Sequence, residues 1–196
     1  SPCKARIFTA TRDARLIAVD AATGRPCADF GSGGTVDLRA NMGKHLFNYQ
    51  YSSSPPLVVG DIVVLGAGIY DGQSVGEPSG VVRAFNARDG KLAWAWDLGR
   101  PGVNTAPPPG ESYVRGTPNV WSLTSADPEL GLVFLPTGNA PPDYFGAHRT
   151  PEMEKFTSSV VAVNAADGSV RWHYQTAHHD IWDYDLPAAP VLLDIT

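Results

Sequence analysis

Charge is scarce: only 18% of the 196 residues are Asp, Glu, Lys or Arg, and the acids outnumber the bases 20 to 15. The net charge of -5 argues against nucleic acid or an anionic membrane surface as the main partner, since both recruit basic patches. No apolar run approaches the roughly 18 to 20 residues that span a bilayer. Ser1-Pro2-Cys3-Lys4 lacks the layout of a signal peptide, so the segment itself is expected to be soluble. Only two cysteines occur, Cys3 and Cys27. They are too few and too widely spaced for a zinc site, and either one disulfide or two buried thiols fits them.

Gly (20) and Pro (17) are plentiful instead. That composition argues against a helical bundle or coiled coil. The 43% apolar content argues equally against disorder.

A repeat organises the chain. Ala18-Val19-Asp20-Ala21-Ala22-Thr23-Gly24 recurs as Ala84-Phe85-Asn86-Ala87-Arg88-Asp89-Gly90 and as Ala162-Val163-Asn164-Ala165-Ala166-Asp167-Gly168. A tryptophan follows the second and third copies, at Trp94 and Trp172, where the first has Ala28. Each copy lies between two short alternating runs: 15–20 and 25–30, 81–86 and 91–96, 159–164 and 169–174. Such runs joined by Asp-Gly or Thr-Gly predict hairpins, because Gly supplies the positive φ of a tight turn. Further hairpins are expected upstream, with strands 56–59 and 62–66, then 118–124 and 131–137.

Two hairpins per unit make the four antiparallel strands of a β-propeller blade, with Trp94 and Trp172 packing between blades. The expected fold is all-β: a partial blade over 1–30, blades over about 56–96 and 118–174, and the start of another at 190–196. The repeated glycines are 66 and then 78 residues apart, beyond the roughly 40 to 45 of a compact blade. Long insertions are therefore expected inside the units. With strands labelled A to D, they fall in the B-to-C segments (67–80, 138–158) and the D-to-A segments (97–116, 175–189). Both kinds of connection open on the same face of a propeller, where a rigid scaffold carries its site.

The richest of them is His178-His179-Asp180-Ile181-Trp182-Asp183-Tyr184-Asp185. The adjacent imidazoles could suggest zinc, but further Cys or His ligands at suitable spacing are missing. The carboxylates suit a hard cation or general-base work. The plainer account is a loop pinned by Asp side chains on backbone N–H groups. Asp71 in Tyr70-Asp71-Gly72 and Asn139 in Thr137-Gly138-Asn139 offer isolated oxygen ligands, and both are also ordinary turn residues. Trp121, expected on an innermost A strand, either offers a flat platform to an aromatic ligand or fills the channel.

Thr117-Pro118-Asn119-Val120-Trp121, Leu135-Pro136-Thr137-Gly138-Asn139 and the run from Gln175 to Pro187 resemble the membrane-bound quinoprotein glucose dehydrogenases, with the related quinate and polyol dehydrogenases. The resemblance covers essentially the whole chain. It implies an eight-bladed propeller holding pyrroloquinoline quinone (PQQ) and a divalent cation, calcium or magnesium. It implies Asp183 as the general base, Asp71 and Asn139 as metal ligands, and Trp121 as the indole floor under PQQ. It further implies a sugar or polyol substrate, ubiquinone as electron acceptor, and a parent protein anchored through regions outside this segment at the periplasmic face of the bacterial inner membrane.

The length matches about three blades, so the chain reads as a segment of a longer enzyme and is expected to be inactive alone. The alternatives are a quinate/shikimate or soluble alcohol dehydrogenase of the same fold, or a non-enzymatic propeller scaffold.

Overall fold

The computed structural model describes residues 3–44, 46 and 48–195. Ser1, Pro2 and Thr196, at the ends of the expected first and last partial blades, lie outside the described residues. In chain order the elements are β1 (Arg6–Ala10), β2 (Arg15–Asp20), β3 (Thr35–Asp37), β4 (Gln50–Tyr51), β5 (Leu57–Val59), β6 (Ile62–Leu65) and β7 (Gly68–Ile69). There follow β8 (Val82–Asn86), β9 (Leu92–Trp96), β10 (Ser125–Asp127), β11 (Leu132–Pro136), α1 (Pro151–Phe156), β12 (Ser159–Asn164) and β13 (Val170–Gln175). They form four antiparallel sheets: β1-β2-β3, β5-β6-β8-β9, β10-β11-β12-β13 and the small pair β4-β7. The fold is all-β, and the two four-stranded meanders have the form of propeller blades.

The repeat marks the turn that ends β2 in the first sheet and the third strand, β8 or β12, of each four-stranded sheet. Asp20, Asn86 and Asn164 each accept, through Oδ1, from backbone N–H groups of the following turn: Thr23 at 2.9 Å, Arg88 at 2.9 Å and Ala166 at 3.0 Å. The turn closes when Gly24, Gly90 and Gly168 donate back to residues 20, 86 and 164. These glycines have φ of +69°, +73° and +71°, values that a side chain would strain.

The sheets stack face to face, so the inner strands are buried on both sides and read as near-continuous apolar runs. Val63, Leu65 and Phe85 pack toward the first sheet, against Leu16, Ala18 and Phe30. Their alternating neighbours Val64, Val82, Ala84 and Trp94 pack toward the third, against Val133, Leu135, Val161 and Val163. Trp94 locks that second interface. It is 1% exposed and its indole N–H donates to the Ala165 carbonyl at 2.9 Å.

Three sequence expectations are corrected. Residues 25–30 do not form the outer strand of the first sheet. Beyond an isolated bridge from Pro26 to Val19 the chain turns away, and β3 takes the place beside β2. Asp20 N donates to the Arg25 carbonyl and Cys27 N to the Ala18 carbonyl, and beyond that short pairing a disulfide ties Cys27 to Cys3 (Cα–Cα 5.7 Å).

Trp121 does not lie on a strand. The innermost strand of the third sheet is β10, and residues 117–124 cross between blades on irregular bonds: Gly80 N to Thr117 Oγ1, Asn119 Nδ2 to the Ala67 carbonyl, and Ser53 and Ser54 hydroxyls to the Trp121 carbonyl. Gly66 and Gly80 permit this crossing, since a Cβ on either would collide with the carbonyls of Val120 and Pro118. Finally, residues 190–195 join no ladder with any described residue, so the strand expected there is not formed.

Candidate functional site

The long connections converge. Asp71 follows β7 in the β6–β8 connection, Asn119 and Trp121 lie in the β9–β10 crossing, and Asp183 and Asp185 follow β13. With Tyr51, Ser53, Gly68 and Ile69 they line one cleft of about 240 Å³. Asp71, Trp121 and Asp183 are therefore brought together. Asn139 is not among the lining residues: it sits behind Asp185, whose Oδ1 accepts from the Asn139 backbone N–H at 2.5 Å.

The segment 178–185 divides its labour. Asp180 is fully buried and pins the loop, accepting from Trp182 N at 2.9 Å, Tyr184 N at 2.8 Å and the Ser158 hydroxyl at 2.6 Å. The two imidazoles turn away from the cleft: His178 pairs with Gln175 and His179 with Glu154 of α1. That helix is capped by Thr150, whose side chain accepts from Met153 N, and carries Pro151 in its first turn. Asp183 stands free of the pinning. It is solvent-exposed with φ +66°, an uncommon conformation for a residue other than glycine. Its carboxylate has one hydrogen-bond partner among the described residues, the Tyr144 hydroxyl at 3.4 Å.

Asp185 holds the tryptophan. Its Oδ2 accepts from Trp121 Nε1 at 2.6 Å, which fixes the indole by its edge. Asn139 in turn braces the loops, donating from Nδ2 to the carbonyls of Asp143 at 2.9 Å and Asp180 at 3.2 Å while its Oδ1 accepts from Ala140 N.

The electrostatics are one-sided. Burial, then the charges of Asp185, Asp183 and Glu77, pushes the Asp71 carboxyl up to about 6. Burial, then Asp71, Asp183 and Asp185, pushes Asp143 up to about 7. Asp185 is raised by burial, against the lowering effect of its bonds from Trp121 and Asn139. No salt bridge joins any of these four aspartates among the described residues. Asn119 is 1% exposed and its Oδ1 lacks a partner, although buried polar atoms are nearly always bonded.

Hard oxygen donors, uncompensated carboxylates and an orphaned amide oxygen suit a calcium- or magnesium-type cation rather than zinc. Among the described residues no three His, Cys, Asp or Glu side chains converge on a single point. Asp143, Asp185 and Asn119 were missed by sequence reasoning. Asp185 and Asn119 lay within flagged segments, whereas nothing local distinguishes Asp143 from a turn residue.

Three comparisons bear on the chain. The family model for the PQQ glucose/ethanol/alcohol dehydrogenase β-propeller domain matches residues 1–196. The chain is similar to the glycerol dehydrogenase large subunit of Gluconobacter oxydans (strain 621H), 46% identical over 194 residues, 99% of this chain and 26% of that protein. It is similar to the quinoprotein glucose dehydrogenase of Escherichia coli (strain K12), 40% identical over 194 residues, 99% of this chain and 24% of that protein. Among solved structures, the quinohemoprotein alcohol dehydrogenase from Comamonas testosteroni aligns with a TM-score of 0.73 at 26% identity, covering 98% of this chain and 29% of that one. The chain thus spans about a quarter of the length of the curated relatives it matches. With its whole length matched and its sheets arranged as blades, the chain belongs to the PQQ-dependent glucose/ethanol/alcohol dehydrogenase β-propeller family.

Proposed function

We propose that this chain is a segment of an eight-bladed PQQ-dependent dehydrogenase that oxidises a sugar or polyol, with one partial blade, two blades built on β5-β6-β8-β9 and β10-β11-β12-β13, and residues 190–195 pairing into a further blade only with strands outside this segment. The observation that carries the reading is the meeting of Asp71, Trp121 and Asp183, from three separate connections, at a single cleft.

In this reading Asp183 is the general base. Its exposed carboxylate receives the proton of the substrate hydroxyl while Asp180 holds the backbone on either side. Trp121 presents an indole face to the flat cofactor, and Asp185 keeps that face from rotating. Asp71 supplies a carboxylate to the cation from the cleft wall, and Asn139, set behind Asp185, reaches toward it with an amide oxygen that keeps a lone pair beyond its bond to Ala140. Asn119 Oδ1 adds a further uncommitted oxygen. When bound, PQQ would supply the hydride acceptor and the cation would polarise its carbonyl as a Lewis acid. We also propose ubiquinone as the electron acceptor, and anchoring at the periplasmic face of the inner membrane by regions outside this segment. Among the described residues no helix is long and apolar enough to cross a membrane. A non-enzymatic scaffold would have no use for a carboxylate-lined cleft held together at this cost in repulsion.

The test uses the full-length protein, reconstituted with PQQ and calcium or magnesium. Dye reduction is measured with glucose, glycerol, quinate and ethanol, and ubiquinone reduction with the membrane-bound form. A sugar or polyol should be the best substrate, and Asp183→Asn should lower its turnover by at least about a hundredfold. Unchanged turnover would remove Asp183 from the mechanism.

A further inference from the structure

We propose that Tyr144 is a positioning residue for Asp183, its phenol holding the carboxylate over the cleft. The inference rests on the reading of Asp183 as the base and names the group that orients it.

The backbone around Asp183 is fixed, yet its side chain is not. Trp182 N and Tyr184 N are both tied to Asp180, leaving the torsions of the Asp183 side chain as the remaining freedom. Asp71, Asp143 and Asp185 crowd the same region with like charge, and each carries electrostatic coupling to Asp183 or its neighbours. Repulsion from the three favours swinging the Asp183 carboxylate out to solvent. A hydrogen-bond donor is needed to hold it, and Tyr144 Oη, donating to Asp183 Oδ2 at 3.4 Å, is the one present among the described residues. That separation is long for an O–H to carboxylate bond. Such bonds at catalytic groups are often loose without substrate and tighten in the complex.

The phenol comes from a separate and well-braced segment. Tyr144 lies in the β11–β12 connection, and the carbonyl of the preceding Asp143 accepts from Asn139 Nδ2 at 2.9 Å and Arg149 Nη2 at 3.4 Å. Phe145 N donates to the Pro142 carbonyl, closing a turn around Tyr144. Tyr144 is 69% exposed, so its placement is owed little to core packing. The phenol is also harder to ionise than a free tyrosine, chiefly because of the Asp183 charge and then burial, so it remains a donor at neutral pH.

The experiment uses the full-length holoenzyme with Tyr144→Phe, Asp183→Asn and the double variant. Tyr144→Phe keeps the ring and removes only the hydroxyl. The expected result is a kcat about five- to tenfold lower with KM changed by less than about twofold, since the lost contact orients the base and does not bind substrate. In the Asp183→Asn background the same change should have no further effect on kcat.

A second measurement needs no bound cofactor: absorbance titration of the tyrosines, with Tyr144→Phe as the blank. The Tyr144 phenol should ionise at lower pH once Asp183 is Asn. Wild-type kcat in Tyr144→Phe, beside a crippled Asp183→Asn, overturns the proposal and leaves the base reading standing. An unshifted phenol titration overturns it too. If Asp183→Asn is itself fully active, the base reading fails and the positioning role falls with it.

Discussion

The indole N–H of Trp121 donates to Asp185 Oδ2 at 2.6 Å, tying the crossing between two blades to the loop that carries Asp183. The same carboxylate takes the Asn139 backbone N–H on its other oxygen. One side chain therefore sets the relation of the proposed cofactor platform, the proposed base and the β11–β12 connection.

Trp121→Ala in the full-length protein should weaken PQQ binding by at least about fivefold, because an aromatic face is worth roughly 1–3 kcal/mol to a stacked planar ring. Asp185→Ala should weaken it in the same direction by a smaller factor, since the indole remains but loses its tether. Fluorescence titration of the cofactor-free protein reads both. Equal affinity in wild type and Trp121→Ala would remove the indole from the binding site.

At the blade interface, Trp94→Ala should cost about 3–5 kcal/mol, as expected for a large fully buried aromatic. It also orphans the Ala165 carbonyl that the indole satisfies. Gly168→Ala should be damaging as well. Its φ is +71°, and an added Cβ would lie 2.6 Å from Trp94 Cε3. Chemical denaturation reads both losses, and a change under about 1 kcal/mol in either would show that the interface relaxes around the substitution.

The legible parts of the sequence were the local ones. Asp20, Asn86 and Asn164 act on backbone groups two or three residues away, so a repeat in the letters became a repeat in the turns. The misread parts depended on partners far along the chain. Residues 25–30 have the composition of a strand, but their pairing stops at Cys27, which is tied to Cys3. Residues 118–124 read as a strand, but glycines on a neighbouring segment let them cross instead. In the site, Asp180 and Asp183 are the same residue type three positions apart. One is fully buried and satisfied by three donors; the other is exposed beside a tyrosine. Composition flagged the segment, and only the fold could sort the two roles.

The disulfide between Cys3 and Cys27 closes a loop with a sequence separation of 24. Loop-closure entropy for that size predicts about 3 kcal/mol of stabilisation. Replacing both cysteines by serine should lower the denaturation midpoint accordingly, with the loss concentrated in β1 and β2. Hydrogen exchange localises it. Unchanged protection in those strands would mean that Arg6, bonded to the carbonyls of Ala87 and Arg88, anchors the segment without the cross-link.

The cleft carboxylates set a pH dependence with a definite sign. Asp71 titrates at about 6 and Asp143 at about 7, raised first by burial and then by neighbouring carboxylates. In the unfolded chain both ionise near 4 (about 3.9 for Asp). A carboxyl raised by folding contributes stability that is fully present below the unfolded value and is lost as pH climbs through the folded one. The metal-free full-length protein should therefore match an Asp71→Asn/Asp143→Asn variant near pH 4. It should fall progressively below that variant in melting temperature up to about pH 7. Calcium or magnesium should close the gap at neutral pH by offsetting the repulsion in the wild type, with little effect on the variant. A gap that stays constant with pH would show that water, not burial, governs these carboxylates.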